Sequence, residues 1–330
     1  MSDVLVIGGT RFIGRHVVAE LLDHEYAVTV FTRGTHPSPF ADDPRVEHVT
    51  GDRRDDAAVE RVAETVDPDA VVDNVAFYPA DVETAVRVFD DVDAYVYVSS
   101  VAAYDPEHVL RTESNTPLVP CSPAEATDDS FETYGPRKAE ADRVALAAAD
   151  EHGTPAMSVR PTMVYGPHNH LGFVRYWVDR VLDHDRVVVP GDGSYVCHRT
   201  YVADVASAVR IVLERGDPGE AYNVADQRPV TMTQFLDRVA DAADTAVDPV
   251  YAGPRDLAAA DLDRAAFPLY MGTPFVMPTE KLASLGWAST PVPEAMAATV
   301  ADHREHGLDY DDGPSRAAER RVRDALDALD

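Results

Sequence analysis

Short, nearly unbroken apolar runs alternate with longer stretches whose apolar residues recur every three or four positions, from residue 4 to about residue 160. Val4–Ile7 (VLVI) predicts a buried strand, and the next segment, to about His24, carries its apolar residues at helical spacing. Ala27–Thr32 (AVTVFT) predicts the second strand and Val46–Thr50 the third, followed by a helix from about Asp55 to Thr65. Ala70–Ala76 (AVVDNVA) predicts the fourth strand, with a helix over Asp81–Phe89 after it, and Ala94–Ser99 (AYVYVS) the fifth. A loop rich in Pro, Ser and Thr then leads to a long helix, Glu132–Glu151, and Met157–Arg160 predicts a sixth strand. Strands without a polar face, joined by helices, make a parallel sheet covered on both sides. Right-handed crossovers then give a doubly wound α/β fold.

After Pro161 the pattern loosens. Helices are predicted over Phe173–Asp183, Tyr201–Arg215 and Thr231–Ala243, and strands over Val187–Val189 and Ala221–Val224 (AYNV). Frequent Pro and Gly from Pro249 to Pro293 predict a smaller, irregular lobe. The end of the chain, Ser315–Asp330, puts Val322, Leu326 and Leu329 on one helical face, for packing at the surface or at a subunit contact. The expected organisation is a principal domain over 1–166, rejoined by 196–227; a smaller lobe over 167–195 and 228–305; and a helical tail over 306–330.

Composition narrows the class. With 330 residues, 45% of them hydrophobic, the chain can bury a large core. No run of about 20 apolar residues predicts a membrane span, and the chain opens on strand-like sequence without a charged-then-apolar leader, so a cytoplasmic location is expected. Cys121 and Cys197 are too few for a disulfide framework. The net charge of −29 is spread along the chain, and only two of the 29 basic residues are lysine. A dispersed acidic surface keeps a protein hydrated and reads as adaptation to high salt, or as ordinary acidity. It also repels nucleic acid, less so when molar salt screens it.

The turn after the first strand is Gly8-Gly9-Thr10-Arg11-Phe12-Ile13-Gly14. Gly8 permits a tight turn and Gly14 close helix–strand packing, which brings a pyrophosphate to the helix N-terminus. The second strand ends Phe31-Thr32-Arg33-Gly34, without the acid that accepts hydrogen bonds from the ribose of NAD. Arg33 favours a 2′-phosphate instead, because guanidinium–phosphate bonds are charge-assisted and can be bidentate; Arg11 can reach the same region. NADP is therefore the expected cofactor and NAD the alternative, against the plain reading of Arg33 as a solvated arginine. Asp52, after the third strand, is placed to accept from an adenine amino group, or is an ordinary turn aspartate.

Tyr134 and Lys138 are four apart and share a helix face. An ammonium beside a phenol favours phenolate, and a phenol so tuned exchanges a proton with a substrate hydroxyl while hydride moves to or from nicotinamide. Lysine kept at this position, in a chain that uses arginine almost everywhere else, points to a need for a point donor where a planar fork would fit badly. Ser99-Ser100 close the fifth strand, and Ser100 would orient the substrate oxygen. Neither serine sits in a Gly-x-Ser-x-Gly elbow, which argues against a serine nucleophile. Phe77 and Tyr78 either line the nicotinamide pocket or pack in the core. His168 and His170 have no carboxylate or cysteine at metal-ligand spacing and read as substrate-loop residues, so no metal is expected.

As a set, these motifs resemble the extended short-chain dehydrogenase/reductases of the NAD-dependent epimerase/dehydratase family. The resemblance runs from about residue 3 to 305. It rests on the glycine turn, Gly51-Asp52, Asn74-Val75-Ala76, Ser99-Ser100 with Tyr104, and Tyr134–Lys138. Further along come Arg160-Pro161-Thr162-Met163-Val164-Tyr165-Gly166-Pro167, Arg199-Thr200-Tyr201-Val202-Ala203-Asp204-Val205 and Leu285-Gly286-Trp287. It implies a Rossmann-type fold with a C-terminal substrate lobe and a catalytic trio of Ser100, Tyr134 and Lys138. It also implies cofactor contacts from Gly8, Thr10, Arg11, Phe12, Ile13, Gly14, Arg33, Asp52, Arg53, Asn74, Ala76, Tyr134, Lys138 and Pro161. Substrate contacts would come from Phe77, Val101, Tyr165 and Arg199, the last as the arginine that grips a sugar-nucleotide phosphate. Many relatives pair through a helix bundle, so a homodimer through Glu132–Glu151 is implied.

Three departures matter. Arg11 replaces the family's middle glycine; the variant GGTRFIG resembles a subgroup that includes chloroplast stem-loop-binding proteins. Ser100-Val101-Ala102 replaces the Thr-Asp-Glu of sugar-nucleotide dehydratases, which argues against 4,6-dehydration. Asn74 occupies a place often held by histidine. The leading expectation is a sugar or sugar-nucleotide epimerase or oxidoreductase dependent on NAD(P). The rival is a non-catalytic dinucleotide sensor or RNA-associated protein, opposed by the intact Ser-Tyr-Lys set and by the acidity.

Overall fold

Successive residues of a strand face opposite ways, and Val4, Leu5, Val6 and Ile7 are all buried; only a strand covered on both faces accounts for that. The computed structural model, which describes residues 3–270, 273–307 and 313–328, places them in β1 (Asp3–Ile7), an interior strand of a seven-stranded sheet. The other strands are β2 (Ala27–Thr32), β3 (Val46–Thr50), β4 (Ala70–Asp73), β5 (Ala94–Val98), β6 (Ala156–Pro161) and the edge strand Ala221–Val224. Their spatial order is β3-β2-β1-β4-β5-β6 and then the edge strand, each pair parallel. This is the doubly wound Rossmann order, with its direction reversing between β1 and β4.

The two faces have separate cores. Val4, Val6, Val30, Val72 and Val96 pack with Val17 and Leu21 of α1 (Phe12–Asp23) and with Val205, Val209 and Val212 of the helix Val202–Arg215. Leu5, Ile7, Val71, Tyr95 and Tyr97 pack with Val59 and Val62 of α2 (Asp56–Val66), Val82 and Val86 of α3 (Pro79–Val88), and Ala141 and Ala145 of α4 (Tyr134–Glu151). The predicted helices and strands of this half stand within a few residues of their expected bounds. The fourth strand is shorter than expected: it ends at Asp73, and Asn74, Val75 and Ala76 form the loop beyond it.

The chain divides into two compact units, one of Met1–Val164, Thr200–Ala225 and Met277–Ser289, the other of Tyr165–Arg199, Asp226–Val276 and Thr290–Asp330. These bounds differ from the expected ones at 277–289, which the sequence reading put in the smaller lobe. Leu282 and Trp287 join the sheet's core, and the Trp287 indole N–H donates to the Asp204 carbonyl at 3.0 Å. The second unit holds more regular structure than its Pro and Gly content predicts. It has a parallel strand pair, Arg186–Pro190 with Asp248–Ala252, and a helix over Val292–His306.

The tail belongs to this second unit. Its helix, Arg316–Asp327, buries Val322 as the apolar stripe predicts, and Leu326 is half-buried; Leu329 lies outside the described residues. What the stripe does not predict is Glu319. This carboxylate is fully buried, accepting from the Tyr176 hydroxyl at 3.1 Å and Arg180 Nε at 2.6 Å, and pairs with Arg316. Among the described residues no helix is long and apolar enough to cross a membrane.

Candidate active site

The first wall of the site is the turn between β1 and α1. Gly8 has φ +88°, and a Cβ there would meet Val75 at 2.5 Å. A Cβ on Gly14 would fall on the Gly8 carbonyl oxygen. The backbone is thus pressed together as close approach to a ligand requires. Arg11 caps α1 in extended conformation with its side chain exposed, Phe12 is buried, and Thr10 and Ile13 are half-buried. Although the protein carries 58 acidic residues, the first turn of α1 has none, so its positive end is left unneutralised.

Asn74 forms the facing wall, one residue past β4 at the point where the sheet order reverses. Its side-chain amide is buried, and neither the oxygen nor the nitrogen has a hydrogen-bond partner. A buried amide without partners is costly unless a ligand completes it. Arg33 and Asp52 are exposed at the ends of β2 and β3, and Asp52 accepts from the Arg54 backbone at 3.0 Å. Arg53 turns inward: its guanidinium binds Asp73 and reaches Asp81 at 3.1 Å. Its Nε and Nη1 are buried with no hydrogen-bond partner. Ala76 and Pro161 are buried, at the ends of the β4 loop and of β6.

The catalytic trio expected from the sequence lies within the same unit. Tyr134 opens α4, and a Cβ on the next residue, Gly135, would meet the Ala102 carbonyl at 2.6 Å. Glycine at that position thus allows the start of α4 to sit against the turn that follows Ser100. Ser100 Oγ accepts from the Ala102 backbone N–H at 3.2 Å, which leaves its proton for the phenol. Lys138, one turn further on, is buried. Its Nζ donates to the carbonyls of Val98 at 2.7 Å and Ala76 at 3.0 Å and sits 4.3 Å from the Tyr97 ring centroid. Two carbonyls converging on one atom suit an ammonium better than a fork, and of its three donors one remains.

The charges around the phenol bring in a further residue. Burial lifts the Tyr134 phenol above its ordinary pKa; its hydrogen bond with Ser100 and the Arg137 guanidinium pull it back. Burial brings the Lys138 ammonium down to about 7, against Asp142, Asp73 and Asp81, which raise it. Arg137 is thus a second cation beside the phenol, one that the motif spacing did not name. Arg137 donates to the carbonyls of Ser130 at 3.1 Å and Phe77 at 3.3 Å. Sequence spacing alone did not single it out, since on a helix Arg137 and Lys138 are both within a turn of Tyr134.

A lysine depressed by burial has a stability signature. Above pH 7, and up to the ordinary lysine value, the unfolded chain holds a proton that the folded one has released, so stability rises with pH over that window. Lys138→Met should remove up to about 1.4 kcal/mol per pH unit of that slope. Urea melts of both proteins at about pH 7 and 9.5 measure it; equal slopes would refute the depressed ammonium.

Of the expected substrate residues, Val101 is buried beside Ser100, and Phe77 is 42% exposed, its ring centroid 5.7 Å from Lys138 Nζ. Tyr165 and Arg199 belong to the second unit. Arg199 is buried 3.7 Å above the Phe235 ring, and its Nε and Nη1 have no hydrogen-bond partner.

The profile of the NAD dependent epimerase/dehydratase family matches residues 4–225. The low-salt glycan biosynthesis protein Agl12 of Haloferax volcanii is 26% identical over 274 residues, covering 75% of this chain and 84% of that one. The dTDP-glucose 4,6-dehydratase of Streptomyces antibioticus is 28% identical over 278 residues, 75% and 80% of the two chains. Among solved structures, the UDP-glucose 4-epimerase of Thermus thermophilus in complex with NAD superposes with a TM-score of 0.70 at 24% identity, covering 93% of this chain and 100% of that one.

Proposed function

Because the chain belongs to the NAD dependent epimerase/dehydratase family, we propose that it is an NAD(P)-dependent epimerase or oxidoreductase of a sugar or sugar nucleotide, with Ser100, Tyr134 and Lys138 as its reacting set. The observation that carries this reading is the Tyr134 phenol, hydrogen-bonded with Ser100 at the end of β5, one helical turn from an ammonium held by two carbonyls.

The residues present fit a dinucleotide. The glycine turn is a cradle that a Cβ would fill, and the Asn74 amide is buried with both polar atoms open. Gly8, Thr10, Arg11, Phe12, Ile13 and Gly14 would hold the pyrophosphate, Asp52 the adenine, and Lys138, through its remaining donor, a ribose hydroxyl. When bound, the nicotinamide supplies hydride exchange with a sugar carbon. Tyr134 carries the proton that accompanies it. With its pKa raised it is a protonated phenol at neutral pH, set to give a proton to a carbonyl oxygen; accepting one depends on Ser100 and Arg137 to stabilise the anion. Ser100 fixes the direction of that bond.

Exposed Arg33 at the end of β2, where no acid stands, supports NADP over NAD. Arg33→Ala should raise the Kd for NADP about tenfold and leave NAD nearly unchanged, by calorimetric titration; equal effects on both would return the preference to NAD. The unpartnered N–H groups of Arg199 support an anionic substrate such as a sugar diphosphate. Ser100-Val101-Ala102 offers no carboxyl group to expel water, which favours epimerisation or net redox over 4,6-dehydration.

Native mass spectrometry of the purified protein would identify the dinucleotide and sugar that co-purify, and a hydride-transfer assay on nucleotide sugars would follow turnover. Failure of every such sugar to turn over, with labelled RNA binding at matched salt, would favour the RNA-associated alternative. The net charge of −29 weighs against that outcome.

A further inference from the structure

His168 and His170 lack a carboxylate nearby in sequence, but the fold supplies one to His168. The loop that begins the second unit brings His168 to the end of the helix Val292–His306, where Asp302 and His306 lie four apart on one face. His168 Nδ1 is 3.4 Å from Asp302 Oδ1, and His306 Nδ1 is 3.2 Å from the same oxygen. One ligand atom from each residue falls within 4.8 Å of the other two.

We propose that His168, Asp302 and His306 bind a divalent transition metal of the zinc class. In a tetrahedral site with bonds of about 2.0–2.1 Å, neighbouring ligand atoms stand about 3.3 Å apart; two of the three edges already have that length. Two imidazoles and one carboxylate suit zinc, cobalt or nickel, whereas magnesium and calcium prefer all-oxygen shells.

The surroundings hold the ligands in place. His168 adopts φ +61°, which side-chain-bearing residues take up sparingly, and its backbone N–H donates to Asp302 Oδ2 at 3.0 Å. That bond fixes the carboxylate and leaves Oδ1 to face the imidazoles. Glu305 stands 3.8 Å from His306 Nε2, on the far side of the ring from the cluster, in the manner of an outer carboxylate that orients a metal-bound histidine. The next histidine on the helix, His303, is already paired with Asp179 at 2.6 Å. The His306 side chain is 52% exposed, so the cluster can be reached from solvent. The metal would clip the loop to a helix 134 residues away in the chain.

The test is titration of the full-length, tag-free, chelator-treated protein with cobalt(II), in molar KCl to screen the acidic surface. Expected are one equivalent bound, an intense visible d–d band of low-coordinate cobalt, and displacement by zinc but not by magnesium. Asp302→Asn and His306→Gln should each weaken binding by more than about tenfold. Absence of the band in the wild-type protein overturns the proposal whether or not the variants fold. So does a band that survives in both variants, or displacement by magnesium as effective as by zinc. Any of these would leave the cluster a hydrogen-bonded His–Asp–His group.

Discussion

Tyr134→Phe is expected to lower kcat by about a hundredfold to ten-thousandfold, the usual contribution of a positioned proton donor, while NAD(P) affinity and the melting temperature stay close to those of the parent. The substitution removes only the hydroxyl. Gly135 still lets α4 approach the turn after Ser100, Lys138 keeps both carbonyls, and Arg137 keeps its bonds to Ser130 and Phe77. The loss should therefore fall on kcat with little change in KM, the mark of an interaction made in the transition state. Single-turnover measurement of hydride transfer checks it directly. Full activity in the variant would remove the phenol from the chemistry and leave the fold assignment untouched.

The second large effect concerns the glycine turn. In Gly14→Ala the new methyl would fall on the Gly8 carbonyl oxygen, with the Gly9 Cα only 3.1 Å away. Both neighbours are backbone, so no flexible side chain can swing clear. Relief requires α1 to shift from β1, against the core formed by Val17, Val18 and Leu21. We expect destabilisation by at least about 3 kcal/mol, the upper range for overpacking a close-packed core, and loss of measurable dinucleotide binding. Thermal melts and calorimetric titration with NAD and NADP read the two effects separately. A variant that binds either dinucleotide normally would show that the turn is not the cradle.

The first half of the fold was legible because its signals are local. AVTVFT, VEHVT and AYNV each form a strand with the bounds their apolar pattern predicts. The second unit was less legible. Asp248–Ala252 contains a proline yet pairs along its length with Arg186–Pro190. Val292–His306 has Pro293 in its first turn, where a helix tolerates it. Read from sequence, those prolines looked like breaks. Glu319, Arg53 and Asp302 share another difficulty. Each is a charge with at least one partner brought in by the fold: Arg180 for Glu319, Asp73 for Arg53 and His168 for Asp302.

The site was legible in its parts and not in its electrostatics. Tyr134, Lys138 and Ser100 share a motif order, and the structure brings them into one unit. The charges around the phenol depend on depth: burial lowers the Lys138 pKa to about 7, and Arg137 adds a second cation whose pairing with the Ser130 and Phe77 carbonyls only the folded chain reveals.

The return of Met277–Ser289 to the first unit has a consequence for synthesis. Until Leu282 and Trp287 have left the ribosome, the helix Val202–Arg215 lacks part of its cover, and the Asp204 carbonyl waits for its indole donor. The chain must therefore emerge as far as Trp287 before this half can finish folding, and no single cut between the two halves would release either one whole.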